Sequence, residues 1–193
     1  MTPPAPFPLP FRPQRVLLFS GHMVDAPGRA IPRFPLDRQA AAASRIAQVL
    51  EDLGADARDI GLTQGAAGGD LLFAEACVRR AVPVQLLLPL PEPTFIETSI
   101  LPCDGAAAWK QRYLALKAAL PQPPATMPAV PDDPFEACNL WLLGTAVAAG
   151  AQALHLICLW NGEGGDGPGG TAHMVREVQW HGGRVHWIDS RTL

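Results

Sequence analysis

The sequence predicts an α/β protein: one three-layer domain with a mainly parallel sheet of five or so strands and helices on both faces. Two observations predict this class. Short apolar runs alternate with longer segments of helical periodicity, which is the pattern of a parallel sheet joined by right-handed crossovers. The 193 residues fit one such domain, and with 48% hydrophobic and only 17% charged residues they can bury a substantial core.

The domain is predicted to span residues 15–193. Residues 1–14 are rich in proline, which favours an extended polyproline-like arm. We expect a loosely ordered tail there, with a binding arm as the alternative. A second proline-rich stretch, at residues 121–134, is predicted to be a surface loop within the domain.

Three strands and two helices are predicted in the first half of the domain. The continuous apolar run at residues 15–20 is typical of a strand covered on both faces. Residues 36–53 place their apolar side chains near one helical face, and this helix ends at a glycine. A strand at 59–64 leads through a glycine-rich segment into a helix at 70–81. A third strand, at 84–89, ends at a proline.

The second half of the domain is predicted to be mainly helical, with two further strands. Two helices precede the proline-rich loop, and the helix after it has proline near its start and glycine at its end. An apolar strand then runs into a long glycine loop, which is followed by a helix and a final strand. In chain order these elements cover residues 93–101, 106–119, 133 or 134 to 150, 153–160, 170–181 and 185–188.

Charge, cysteine content and hydropathy limit the partners and the compartment. A net charge of -3 gives no electrostatic footprint for a nucleic acid, so no long nucleic-acid partner is expected. The four cysteines lack metal-ligand and redox spacing, and we expect reduced, mostly buried thiols in a cytoplasmic protein. The N-terminus lacks a secretion signal and the apolar runs are too short to span a bilayer, so no membrane partner is expected.

The glycine loop at residues 161–170 is the most informative stretch of the sequence. Its glycines let backbone N–H groups turn toward a ligand, and the helix that follows supplies partial positive charge at its N-terminus. Such a junction favours an anion, most often a phosphate. Because ligands of open α/β sheets bind beyond the carboxyl ends of the strands, residues 20–22, 64–70 and 89–93 are expected beside it.

A second glycine segment, at residues 64–70, also lies between a strand and a helix. It has neither the glycine spacing of a dinucleotide site nor the lysine of a P-loop, which disfavours binding of a magnesium–triphosphate in the P-loop manner. Asp70 has two interpretations here. Its carboxylate either caps the helix by accepting from backbone N–H groups or accepts a hydrogen bond from a ribose hydroxyl.

A dense polar group follows the first strand at His22, Asp25, Arg29 and Arg33. Arginines suit bidentate contact with phosphate or carboxylate, and the alternative is a solvated loop with incidental ion pairs. His22 and Asp25 lack metal-ligand spacing with His173, so no metal and no cofactor are predicted.

Two polar residues and one aromatic residue complete the candidates. Glu136 and Asn139 lie three apart and share one face near a helix start, where they either contact a sugar or base or are exposed polar positions. The five tryptophans are expected mainly in the core. Trp160 is the exception, because it directly precedes the glycine loop.

Three motifs in this order resemble the SLOG superfamily, which joins the DprA/SMF proteins and the Lonely Guy phosphoribohydrolases. They are Phe19-Ser20-Gly21-His22 after the first strand, Gln64-Gly65-Ala66-Ala67-Gly68-Gly69-Asp70 after the second and Gly167-Pro168-Gly169-Gly170-Thr171 after the fourth. Together they span nearly the whole chain from Arg15. Residues 21–35, 66–75 and 160–174 also look like standalone or fused bacterial SLOG modules of undefined activity.

The resemblance implies a Rossmann-like sheet that binds nucleotides or their derivatives, and a homodimer, because such relatives commonly pair. Some relatives hydrolyse an N-glycosidic bond with the motif Pro-Gly-Gly-x-Gly-Thr-x-x-Glu. This chain lacks the spacer glycine and carries Met174 where the glutamate is expected. Glu177 lies one turn further along the helix, a displacement of about 4.5 Å that is large against catalytic tolerances.

We therefore expect a module that binds or senses a nucleotide or nucleotide-derived small molecule at the carboxyl edge of the sheet. The first alternative is a nucleotide N-glycosidic hydrolase of Lonely Guy type, with Glu177 and Glu136 as catalytic candidates that stabilise positive charge on the sugar. The second is a protein-interaction module that uses the proline-rich arm. The expected ligand-binding residues are Ser20, Gly21, His22, Asp25, Arg29, Arg33, Gln64, Gly65, Gly68, Gly69, Asp70, Asn139, Asn161, Gly167, Gly169, Gly170, Thr171 and His173.

Overall fold

A computed structural model of the protein describes residues 4–150, 153–163 and 170–193. Within these ranges the strands are β1 (Arg15–Gly21), β2 (Ile60–Thr63), β3 (Val84–Leu88), β4 (Ala125–Thr126), β5 (Ala153–Trp160) and β6 (Arg184–Asp189). They form a six-stranded sheet in the order β4-β3-β2-β1-β5-β6, and every neighbouring pair is parallel. The predicted α/β class is confirmed.

Helices cover both faces of this sheet. They are α1 (Gln39–Asp52), α2 (Gly69–Arg79), α3 (Glu92–Ser99), α4 (Ala106–Ala119), α5 (Pro134–Ala148) and α6 (Thr171–Trp180). Helices α1 to α4 pack on one face and α5 and α6 on the other. A short 3-10 turn at Leu36–Arg38 precedes α1, and another at Ser190–Thr192 follows β6.

The central strands are apolar throughout because both of their faces are covered. Alternate residues of β1 point to opposite faces, so Leu17 and Phe19 join the cluster under α1 to α4 while Val16 and Leu18 join the cluster under α5 and α6. The sixth strand, β4, was not predicted. It has two residues, pairs with the end of β3 and lies inside the predicted proline-rich loop, too short for a periodic signal.

The direction of the crossovers reverses at β1, which pairs with β2 on one side and β5 on the other. In open α/β sheets a crevice forms at this switch point, outside the carboxyl ends of the strands. Gly21 ends β1 there, opposite Leu159 of β5. A side chain at position 21 would place its Cβ 2.9 Å from the backbone oxygen of Leu159, so the close approach of the two strands requires glycine.

The described part of the proline-rich arm packs against α5, in contrast to the expected loose tail. The Phe7 backbone N–H donates to Thr145 Oγ1 at 2.9 Å, and Trp141 Nε1 donates to the Ala5 oxygen at 2.9 Å. The Phe7 and Trp141 rings meet edge to face, with centroids 6.0 Å apart. Apolar side chains between the prolines thus fix the arm on the helix, a contact that proline content alone does not predict.

The cysteines and the hydropathy of the helices follow the sequence-based expectations. Cys77, Cys103, Cys138 and Cys158 are free and buried. Among the described residues, no helix combines the length and the apolar character needed to cross a membrane.

A buried ion pair holds the start of β1. The Arg15 guanidinium donates to both carboxylate oxygens of Asp59, at 2.9 and 2.7 Å, and the Asp59 side chain is fully buried. Arg15 also donates to the backbone oxygens of Leu53 and Gly54 at the end of α1. One side chain therefore ties β1 to the connection between α1 and β2.

Replacing Arg15 with alanine is expected to lower the free energy of unfolding by about 3 kcal/mol, because the substitution leaves the buried Asp59 carboxylate without its cation. Urea denaturation at pH 7 measures the change. Arg58→Ala is the control, since Arg58 pairs with Asp56 on the surface and should leave stability unchanged. Equal effects of the two substitutions would contradict the structural role of the buried pair.

Candidate functional site

A cavity of about 160 Å³ lies at the carboxyl edge of the sheet, between the ends of β1 and β2 and the starts of α2, α5 and α6. Seven predicted residues line it: Ser20, Gly21, Gln64, Asp70, Asn139, Gly170 and Thr171. The other lining residues were not predicted: Phe19, Met23, Ala66, Ser99 and Phe135. Phe135 precedes Asn139 by about one helical turn, and this spacing could have signalled an apolar wall beside the amide.

Polar side chains join neighbouring elements across the cavity. Ser20 Oγ at the end of β1 lies 3.3 Å from Thr171 Oγ1 at the start of α6. Gln64 Nε2, just after β2, donates to Asn139 Oδ1 on α5 at 2.9 Å. These contacts set hydroxyl and amide groups around one small space, where they can hydrogen-bond an uncharged polar ligand group.

Asp70 is the buried carboxylate of the cavity, with 7% of its surface exposed. It accepts from the Thr63 hydroxyl and from the backbone N–H groups of Gln64, Gly65 and Asp70 itself. Burial nevertheless raises the pKa of Asp70 to about 6, because desolvation of the charged form outweighs these hydrogen bonds. The second glycine segment therefore turns its N–H groups toward a carboxylate of the chain itself.

The glycines of this segment pack against the residues that follow β1. Gly68 has a φ of +123°, and a Cβ there would lie 2.7 Å from the Val24 nitrogen. The Gly69 N–H donates to the His22 oxygen at 3.2 Å. Gly65, Gly68 and Gly69 are outside the cavity lining, and Gly68 and Gly69 instead allow the first and second loops to touch.

His22 and Asn161 meet beside the cavity without lining it. His22 Nε2 lies 3.2 Å from Asn161 Oδ1 and 3.1 Å from the Asn161 backbone nitrogen. Burial lowers the pKa of His22, and the nearby charge of Arg33 lowers it further. A neutral imidazole can accept the Asn161 N–H, which links the end of β1 to the residue after β5.

The polar group after His22 is organised by Asp25 and lies outside the lining. Asp25 Oδ2 accepts from the backbone N–H groups of Arg33 and Phe34, each at 2.9 Å. Asp25 Oδ1 lies 3.5 Å from Arg29 Nε. The carboxylate thus closes the loop, while Arg29 and Arg33 place positive charge close enough to affect His22.

The two catalytic candidates flank one histidine where α5 meets α6. Glu136 Oε1 lies 3.7 Å from His173 Nδ1, and Glu177 Oε1 lies 3.6 Å from His173 Nε2. None of these three residues lines the cavity. The structure therefore brings the predicted carboxylates together at His173, beside the cavity.

The helix starts around the cavity differ in charge. Asp133 caps α5 by accepting from the Glu136 N–H at 2.9 Å, and α2 carries Asp70 in its first turn. Helix α6 begins after Gly170 and has no acidic residue in its first turn. Its first N–H groups are thus the ones best placed for an external anion. Gly167 and Gly169, also predicted to hold a phosphate, lie outside the described residues.

Comparisons with known proteins show no family for this chain. No protein-family model matches the sequence, and no curated protein matches it either. The chain is similar in fold to the X-ray structure of DNA processing protein A (DprA) from Streptococcus pneumoniae, with a TM-score of 0.40 and 12% sequence identity. The match covers 90% of this chain and 58% of that chain, so this chain spans somewhat more than half of that protein's length.

The expectation that no long nucleic acid is a partner is corrected here, because the matched structure is that of a DNA processing protein. The expectation rested on the net charge of -3. Net charge is a sum over the whole chain and does not describe the potential at one face, so it could not support the exclusion.

We compare the free energy of unfolding of the wild type with that of Asp70→Asn. As the pH rises from 4 to 6, the wild-type value is expected to fall by up to about 3 kcal/mol relative to the variant. The folded state holds the Asp70 proton in this window whereas the unfolded state has lost it, because the pKa is raised from 3.8 to about 6 in the fold. Urea denaturation at stepped pH measures the difference. The exposed Asp52→Asn variant serves as the control, and an Asp70 difference that stays flat with pH would contradict the burial of the charge.

Proposed function

We propose that the protein binds or senses a nucleotide or nucleotide-derived small molecule at the cavity. The observation that carries this proposal is the charge of the helix starts. Among the three that line the cavity in the described residues, α2 and α5 have an acidic residue in the first turn and α6 has none. An anionic ligand group is therefore most favourable at Gly170 and Thr171, where N–H groups and the Thr171 hydroxyl can donate.

The rest of the lining supports an uncharged ligand group inside the cavity. Its described residues include no lysine, arginine or histidine, and its ionisable group is the Asp70 carboxylate. A volume of about 160 Å³ is below the 300–1,000 Å³ of typical ligand pockets, so the cavity encloses one part of a larger ligand. Ser20, Gln64 and Asn139 offer hydroxyl and amide groups to a sugar or a base edge.

Placement in the SLOG superfamily is part of this proposal. The first two motifs named above and the Gly170-Thr171 end of the third lie at one sheet edge, as nucleotide binding by such a module requires. His22, Arg29 and Arg33 would then add hydrogen bonding or positive charge at the mouth rather than inside the cavity. A homodimer stays a prediction from the same resemblance.

A second candidate function is hydrolysis of a nucleotide N-glycosidic bond. The observation that favours it is the approach of Glu136 and Glu177 to His173, which brings two carboxylates that could stabilise positive charge on a sugar close to one another. Their position outside the lining favours binding without hydrolysis.

Thr171→Val is expected to weaken binding of AMP or GMP by about tenfold, because it removes a hydroxyl that donates to a charged group while keeping the side-chain shape. Isothermal titration calorimetry measures the affinity. Thr94→Val is the matched control, since Thr94 is exposed on α3 and lies outside the cavity lining. It should bind as the wild type does.

The same samples separate the candidate functions. Absence of heat with AMP, GMP, cyclic AMP and NAD would overturn nucleotide binding at this site. Release of free base by the wild type, abolished in Glu177→Gln, would favour the hydrolase. Binding with intact nucleotide recovered at the end supports the binding module.

A further inference from the structure

Two tryptophans lie at the outer end of the site, on the strands next to the cavity. Trp187 on the edge strand β6 is 52% exposed, although tryptophans other than Trp160 were expected in the core. Its ring centroid lies 6.0 Å from that of the half-buried Trp160, with 48° between the ring planes. Trp187 is thus an exposed ring that packs on a second, half-buried ring, and its exposed surface offers apolar area for a further contact.

Hydrogen bonds fix the orientation of both rings. Trp187 Nε1 donates to the Trp160 oxygen at 2.8 Å, and Trp160 Nε1 donates to the Glu163 oxygen at 2.6 Å. Glu163 in turn bonds to Asn161, the partner of His22. Because both indole N–H groups are occupied by backbone oxygens, the exposed surface of Trp187 is mainly apolar ring.

A glycine keeps the turn close to the exposed ring. Gly162 has a φ of +81°, and a Cβ there would lie 3.3 Å from the Trp187 ring. A larger residue would be strained and would press on the indole. The two rings are therefore fixed in place before any ligand binds, by their N–H bonds to backbone oxygens and by their contact with each other.

Strand register places the pair in line with the cavity. Ser20 of β1 pairs with Cys158 of β5, which pairs with Trp187 of β6, so their side chains face the same side of the sheet. Trp160 is two residues beyond Cys158 and shares this face. Thr171 at the start of α6 lies against Ser20. Trp187 is two strand spacings, about 10 Å, from Ser20 along the same face of the sheet.

We propose that the Trp160–Trp187 pair is a stacking site for a nucleobase. This inference rests on the proposed function and adds to it the ligand class: a phosphodiester that carries a base on the β6 side of the phosphate and a second moiety on the cavity side. A dinucleotide and a short single strand share this chemistry. Stacking on an aromatic face is tolerant of base identity, so the ring pair supplies affinity and the cavity supplies selectivity.

Isothermal titration calorimetry with AMP, the dinucleoside monophosphate ApA and a single-stranded tetranucleotide tests the proposal. ApA is expected to bind the wild type at least tenfold more tightly than AMP. Trp187→Ala should weaken ApA binding by about tenfold, and Trp187→Phe, which retains a ring, by less. The tetranucleotide arm shows whether the base comes from a small molecule or from a strand.

Trp180→Ala is the matched control. Trp180 is 85% exposed at the end of α6, and its indole N–H has no hydrogen-bond partner among the described residues, so its loss should leave ApA affinity unchanged. ApA binding that is equal in the wild type and both Trp187 variants would overturn the stacking site while leaving nucleotide binding intact. A dimer that becomes a monomer in Trp187→Ala without loss of affinity would assign the pair to a subunit interface and also overturn the proposal.

Discussion

The buried carboxylate of Asp70 is the group on which the candidate site depends. It gathers the backbone N–H groups of Gln64 and Gly65 and the Thr63 hydroxyl, and so closes the turn between β2 and α2. The closed turn rests against the residues after β1, through a contact that only glycine at position 68 allows. Gln64 then reaches Asn139 of α5. The buried Asp70 carboxylate, whose pKa is raised, thus sets the geometry of the cavity between the starts of α2, α5 and α6.

The Asp70 carboxylate also makes one part of the site less favourable for an anion than another. Backbone N–H groups of the segment after β2 and of the start of α6 lie at this edge, and both positions are suited to anions. The segment after β2 is already neutralised by Asp70, and α5 is capped by Asp133. Among the described helix starts at the cavity, only that of α6 has neither an acidic residue in its first turn nor a side-chain cap. In the proposed function, a ligand with its phosphate at this helix start extends in two directions, into the cavity and toward Trp187.

The elements that could be predicted from the sequence are those with a regular pattern of apolar residues along their whole length. Strand β1 is apolar on both faces, and α1 has one apolar face, so both were located to within a few residues; β4 has two residues and no pattern. The carboxyl-edge rule also brought Ser20, Gln64 and Thr171 together correctly. It could not separate residues that line the cavity from those that support it, because the hydrogen bonds of Asp25 and the packing of Gly68 depend on segments distant in sequence. The exposure of Trp187 follows from its edge strand, a position set by strand order.

We propose that the uncharged part of a nucleotide occupies the space between Ser20, Gln64 and Asn139, with its phosphate at Thr171. A titration with AMP followed by ¹H–¹⁵N correlation spectra of the labelled protein tests it most directly. The account predicts saturable shifts of the backbone amides at Ser20, Gln64 and Thr171 and of the Asn139 side-chain amide, with no shifts along α1. Saturable shifts confined to the proline-rich arm and the middle of α5, or no shifts at all, would contradict it.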